Sequence, residues 1–412
     1  MKILYVVHQF FPKYYGGTER FAFEIASQMQ RMGHNPTVVT YEPSYDSDGF
    51  ELLTDEVNVK QYFHRTIPVI ALRHKSPADE VEIFHESIEE AADKLSLDCD
   101  LIHVCHTKWL SSIVKRYRER STPIIMTLTD ASLLCPASFL DRGFNLCNGP
   151  LADGGCSNCS VGARMIPRLN QAKAVYDIAD QLTAPSYFIP ALFERNGWRR
   201  SIKAIRHGIN YADIKYVKNS APQEVTFGFV GSVLWHKGVH VLVKAARKVA
   251  RRDMKVKIYG AHYGMNSEKM ESMEWNYWSY FNSLQELAGN DERIEFRGFF
   301  EDEEMPKIMS GLSALVIPST YYENFPLAMI TALAYRVPPI VSNIGGMSEV
   351  IRNGVNGFTF QIGNYNELAN IMENIVTHPE ILQNIRKNIE QPRRIEEETL
   401  DYENMYRRLT EL

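Results

Sequence analysis

Four short segments of this chain carry residue types that can do chemistry. In Tyr321-Tyr322-Glu323-Asn324-Phe325-Pro326-Leu327 an apolar run gives way to a carboxylate and then to a helix start, with Pro326 suited to the first turn. An acid and the positive end of a helix dipole are thereby placed together, and Glu323 can be read as a simple dipole partner. A second segment, Gly231-Ser232-Val233-Leu234-Trp235-His236-Lys237-Gly238, separates an apolar run from a helical stretch. Its glycine turn would expose backbone N–H groups to an anion, and Lys237 adds a cation, so phosphate is the natural guest. Glycine and lysine open many helices, and a structural turn stays open as the other reading. The third and fourth segments are Pro12…Gly16-Gly17-Thr18-Glu19 and Gly345-Gly346…Glu349.

These segments need elements to hold them. The first forty residues predict a strand (2–7), a helix (18–32) with Phe21, Ile25, Met29 and Met32 at helical spacing, and a second strand (36–41). Apolar runs at 101–104, 123–128 and 181–184 read as buried parallel strands. After the polar stretch 211–224 the same grammar restarts: strand 225–230, helix 239–249, strand 255–259, then strands 293–296, 314–318 and 339–342 with helices 305–310 and 326–335. The expected fold is α/β, with two doubly wound domains: 1–208, and 209–395, with ligands at the carboxyl ends of the strands in a cleft between them. The last helix, 396–412, carries Tyr402, Tyr406 and Leu409 on one stripe. It could dock on the first domain or sit on the second.

A chain of 412 residues is long enough for two such domains, and a formal charge of −5 gives no positive field for nucleic acid, which is excluded as a partner. The N-terminal apolar run is too short for a signal peptide and no stretch reaches the roughly 20 apolar residues of a membrane span, so a cytoplasmic protein is expected. The Gly-x-Gly-x-x-Gly fingerprint of a nicotinamide dehydrogenase is missing after the first strand.

Taken together, the order and wording of the four segments resemble the retaining GT-B glycosyltransferases of family 4, over nearly the whole chain. The resemblance implies transfer of a sugar from a UDP- or GDP-sugar donor to a glycan or lipid-linked acceptor in polysaccharide assembly, with no divalent metal or other cofactor required. It implies catalytic roles for Glu323, on the donor sugar's hydroxyls, and for Lys237, on the diphosphate leaving group. Donor contacts would come from Gly16, Gly17, Ser232, Asn324, Phe325, Pro326, Leu327 and Thr331, and acceptor-side groups from His106 and Asp130. It also implies that the last helix returns to the first domain.

This chain departs from the family pattern at three positions. The second glutamate, eight residues after Glu323, is Thr331, which cannot grip a ribose diol as a carboxylate does. The usual arginine of the diphosphate loop is Ser232, and the histidine before Asp130 is Thr129. A binding protein with an intact fold and little or no transferase activity is therefore the alternative.

Cys135, Cys147, Cys156 and Cys159 give C-x11-C-x8-C-x2-C, which suits either structural zinc or buried thiols. Arg195, Trp198, Arg199, Arg200, Lys203 and Arg206 read as a solvated basic face, or as a peripheral contact with anionic lipid at the inner membrane face. Trp275, Tyr277, Trp278, Tyr280 and Phe281 read as core packing or an oligomer contact rather than as a sugar-stacking platform.

Overall fold

The computed structural model describes every residue except 44–48, 80, 137–145, 152–155, 157–163, 212–213, 215–223, 261–273 and 412, together with the side chains of 274–278. The chain divides into two compact units, Met1–His207 with Ile395–Leu412, and Gly208–Arg394.

Unit 1 holds a nine-stranded sheet. Its strands are β1 (Lys2–Val7), β2 (Asn35–Tyr41), β3 (Glu51–Leu52), β4 (Val57–His64), β5 (Ile67–His74), β6 (Leu101–Val104), β7 (Ile124–Thr127), β8 (Gln181–Ala184) and β9 (Ile202–Ala204), in the order β3-β4-β5-β2-β1-β6-β7-β8-β9. From β5 to β9 every pairing is parallel, with registers such as Tyr5 to Val38 and Tyr5 to His103. The β3-β4-β5 edge is antiparallel and is not among the strands read from the sequence. Val57–His64 and Ile67–His74 are joined by two residues, too few for the crossover that a parallel pair needs. The helices are α1 (Gly17–Arg31), α2 (Glu86–Leu95), α3 (Ser111–Glu119), α4 (Met165–Ile178) and α5 (Phe188–Arg195).

Unit 2 holds β10 (Val225–Val230), β11 (Met254–Tyr259), β12 (Ile294–Gly298), β13 (Ala314–Ile317), β14 (Pro339–Ser342) and β15 (Phe358–Phe360), parallel throughout in the order β12-β11-β10-β13-β14-β15. Its helices are α6 (Val239–Lys248), α7 (Glu274–Ala288), α8 (Met305–Ser310), α9 (Leu327–Ala334), α10 (Tyr365–Thr377) and α11 (Ile381–Asn388). Alternate residues of β13 enter different cores: Ala314 and Val316 pack with α6 and α10, Leu315 and Ile317 with α8 and α9. Both faces of the sheet are thus covered, which is why its strands read as unbroken apolar runs.

The last helix, α12 (Ile395–Thr410), belongs to unit 1. Ile395, Tyr402, Met405 and Tyr406 join the core built from β1 and α1. Its polar contacts are equally buried: His103 bonds Tyr406 Oη through Nδ1 at 2.6 Å and Thr127 Oγ1 through Nε2 at 2.7 Å. Burial lowers the His103 pKa to about 3 and keeps the ring neutral.

One surface reading changes. Trp198 is buried between Tyr176 and Phe193, and Arg200 donates to the carbonyls of Tyr176, Asp177 and Ala179 at the end of α4. The aromatic ring and one cation of the basic segment are therefore structural, while Arg195, Arg199 and Lys203 remain exposed. Trp275, Tyr277 and Trp278 lie outside the described side chains. Tyr280 packs on the unit 2 core and bonds His240 Nδ1 at 3.0 Å. Of the four-cysteine segment, Cys159 lies outside the described residues, and no cluster fit to hold a metal occurs among those that are described.

Candidate active site

In each sheet the order reverses beside one strand, and the carboxyl ends flanking that reversal are where open α/β sheets take ligands. In unit 2 the flanking strands are β10 and β13, whose ends lead into Gly231 and into Pro318–Glu323.

After β10 the chain forms one 3-10 turn, Trp235–Lys237, and then Gly238 at φ +73°, which opens α6. A β-carbon at Gly238 would lie 1.9 Å from the Pro318 carbonyl, so only glycine allows this close approach. Thr320 N–H donates to the His236 carbonyl at 2.8 Å, fastening the loop to the segment after β13. Lys237 Nζ consequently reaches Glu323 Oε1 at 2.8 Å and Tyr321 Oη at 2.5 Å, although 86 positions separate the ion pair in the chain. Ser319 Oγ donates to the same carboxylate oxygen at 2.8 Å. Burial alone would raise the Glu323 carboxyl, yet Lys237, Ser319 and Tyr321 hold it below its ordinary value. It is an anion with its acceptor capacity concentrated in one place.

The backbone of Glu323 is fixed from behind. Its carbonyl accepts from Gly346 N–H at 2.9 Å, and Gly345, at φ +59°, leaves 2.2 Å between that oxygen and any added β-carbon. Beyond it, α9 begins with Pro326 as the cap residue rather than as the first helical residue, because its ψ of 125° is extended. No side chain caps this helix, so its first turn keeps N–H groups for another acceptor. Asn324 and Phe325 are buried, whereas Pro326, Leu327, Thr331 and Ser232 are half-buried. Tyr321 stands in the first segment without a role and Ser319 lies just before it; their only signal in the sequence is proximity to Glu323.

In unit 1 the reversal lies at β1 and β6, which lead into His8 and His106. His106 Nε2 lies 3.0 Å from Asp130 Oδ2, and its Nδ1 accepts from Lys108 N–H at 3.1 Å. Both ring nitrogens are thus committed, with Nε2 carrying the proton toward Asp130. Despite burial, His106 and Ser132 hold the Asp130 carboxyl well below the usual range. His8 lies against His106 at 3.8 Å between ring centres, the rings tilted by 32°, and burial keeps it neutral, reinforced by His106. Thr129 donates to the Cys105 carbonyl at 3.0 Å and so serves the backbone.

Glu19, the residue of the opening segment left without a role above, is 4% exposed. Its carboxyl folds back over the start of α1, where a β-carbon on Gly16 would meet Oε2 at 2.2 Å. Burial pushes its pKa up to about 7, against the backbone N–H groups of Glu19 and Gly16 that favour the anion. At Gly17, by contrast, a β-carbon would find open space.

Residues 211–391 match the glycosyl transferases group 1 family, and residues 15–213 match Glycosyltransferase Family 4. An uncharacterized glycosyltransferase of Methanocaldococcus jannaschii is 23% identical over 87% of this chain and 84% of its own length. A second from the same organism is 26% identical over 51% of this chain and 53% of its own. Among solved structures, a sucrose-phosphate synthase of Thermosynechococcus elongatus superposes with a TM-score of 0.73 at 18% identity, covering 99% of this chain and 98% of that one. Anabaena HepE in complex with UDP-glucose gives 0.71 at 19% identity, covering all of both chains (100% each). No helix among the described residues is long and apolar enough to cross a membrane. The chain belongs to the family 4 glycosyltransferases of GT-B fold and is a nucleotide-sugar-dependent enzyme.

Proposed function

We propose that the protein transfers a hexose, with retention of anomeric configuration, from a UDP-sugar to a glycan or lipid-linked acceptor. The observation that carries this reading is the Lys237–Glu323–Tyr321 cluster at the reversal point of unit 2, beside the uncapped start of α9. Glu323 accepts hydrogen bonds from the sugar's hydroxyls. As the bond from sugar to diphosphate breaks, charge grows on the phosphate, and Lys237 with the N–H groups at Leu327 and Ala328 stabilises that charge more than the ground state. Ser232, Asn324, Phe325 and Pro326 line the donor. Uridine is chosen over guanine because HepE is solved with UDP-glucose. On the acceptor side, the outward role falls to Asp130, whose side chain is 30% exposed, with His106 as its positioning partner at 2%.

A thermal-shift series with UDP, GDP and ADP, followed by release of UDP from UDP-hexoses, tests the reading. Stabilisation by UDP and a turnover that falls about 100- to 1,000-fold in Glu323→Ala are expected. Absence of any shift with all three nucleotides would sink it.

A further inference from the structure

In unit 1 the carboxyl edge continues past the His106–Asp130 pair to β8 and β9. Thr127 pairs with Thr183, and Ala184 with Ala204. The ladder runs one residue further, since Leu128 N–H donates to the Thr183 carbonyl and Ile205 N–H to the Ala184 carbonyl, each at 2.8 Å. Counted on in that register, Asp130, Ser186 and Arg206 stand level at the ends of three neighbouring strands, the outer two about 10 Å apart at two strand spacings. Ser186 is fully buried, and its Oγ accepts from Ile189 N–H at 3.4 Å, which fixes the first turn of α5. Tyr187, the next residue, is turned out instead and is 64% exposed. Arg206, half-buried, holds its guanidinium carbon 5.7 Å from the centre of that ring. On the other side of the pair, Tyr15, in the turn from β1 to α1, is 48% exposed and meets the buried Phe11 edge to face. Asp130 is therefore flanked along one sheet edge by two exposed tyrosines.

A solvent-facing tyrosine offers a flat apolar surface with a polar tip, and a guanidinium beside it adds N–H donors in a fixed plane. A pyranose is complementary to that pair, because its ring C–H groups make an apolar face and its hydroxyls a polar rim. From this we infer that Tyr187 and Arg206 form a saccharide subsite: one ring of the acceptor packs on Tyr187 and accepts hydrogen bonds from Arg206, while the sugar that receives the transferred hexose lies at Asp130. The spacing sets the size of the ligand, since the roughly 10 Å between the ends of β7 and β9 is more than one pyranose spans. The acceptor thus presents at least two sugar rings. A lone ring beside an arginine is too small an apolar surface to enter a bilayer. The inference rests on the acceptor-side reading of Asp130 and names the substrate class that side selects.

The test uses the whole protein saturated with UDP, so that the donor site cannot take the probe. Saturation-transfer NMR titrations compare trisaccharides of glucose, galactose, mannose and N-acetylglucosamine, each against its own monosaccharide. At least one trisaccharide is expected to bind wild type about tenfold more tightly than its monosaccharide. Tyr187→Ala should remove that gain, Tyr187→Phe should keep it, and Arg206→Ala should lower it a few-fold. Both Tyr187 variants change an exposed side chain, so melting temperature, UDP affinity and monosaccharide affinity are expected to stay at the wild-type values, which misfolding would not spare. No trisaccharide preference in wild type, or a preference intact in Tyr187→Ala, overturns the subsite. Binding to phosphatidylglycerol vesicles that Tyr187→Ala abolishes, without any saccharide preference, assigns the ring to a membrane and overturns it as well. If UDP fails to bind wild type, the donor reading falls. The same titrations without UDP then still decide the subsite.

Discussion

Both units place their chemistry at the point where strand order reverses, and they fill it in opposite ways. In unit 2 the helix that starts there, α9, has no side chain over its first turn, and the acid beside it, Glu323, is paired with a lysine. In unit 1 the corresponding helix, α1, is covered by its own acid, and Glu19 is buried without a lysine or arginine against it. One arrangement stores an anion and leaves donors for a ligand; the other uses an anion to satisfy the donors itself. The same scaffold thus holds one buried carboxylate ionised against a lysine and leaves the other pushed up by burial.

The comparison breaks most sharply at Gly345→Ala. The left-handed conformation costs an alanine about 1 to 2 kcal/mol, and the contact with the Glu323 carbonyl must also be relieved by backbone movement. Lowered thermal stability and loss of most UDP-hexose turnover are expected together, and a stable variant with full turnover would show that the turn does not position Glu323. Next in size is Thr331→Glu, which adds a second carboxylate on α9. About tenfold tighter donor binding by calorimetry is expected if this face meets the ribose, and unchanged affinity would place the ribose elsewhere.

The smallest effect separates the two acids by pH. Glu19 has a folded pKa of about 7, above its ordinary 4.5, so the folded state binds more protons in that window. Its contribution to stability is complete below about 4.5 and declines as pH rises to 7, by roughly 1 to 3 kcal/mol. Glu323 is depressed, so its contribution is present above its ordinary value and is lost as pH falls through the folded one. Glu19→Gln should flatten the fall in melting temperature between pH 5 and 8 without touching the acid limb. An unchanged profile would remove Glu19 from the account.

What could be read from the chain beforehand follows from this physics. Strands buried on both faces, such as Lys2–Val7 and Val225–Val230, announce themselves as apolar runs. Val57–His64 lies on an antiparallel edge with only Val57 buried and the rest half-buried or exposed, so it gives no apolar run to read. At the site, Glu323, Lys237 and the glycines were legible through motif and spacing. Tyr321 and Ser319 were not, since a hydroxyl beside an acid is unremarkable until the fold turns it inward. Trp198 misled for a related reason: neighbouring arginines made a core ring look like a surface one.

The return of α12 to unit 1 has a further consequence during synthesis. Unit 2 is contiguous, Gly208–Arg394, and its first and last segments already pair where Ile209 N–H meets the Arg393 carbonyl at 3.0 Å. Unit 1 lacks Tyr402 and Tyr406 until α12 has been synthesised. The second half of this chain can therefore complete its core first, while the first half waits with part of its core uncovered, a reversal of the usual amino-to-carboxyl order.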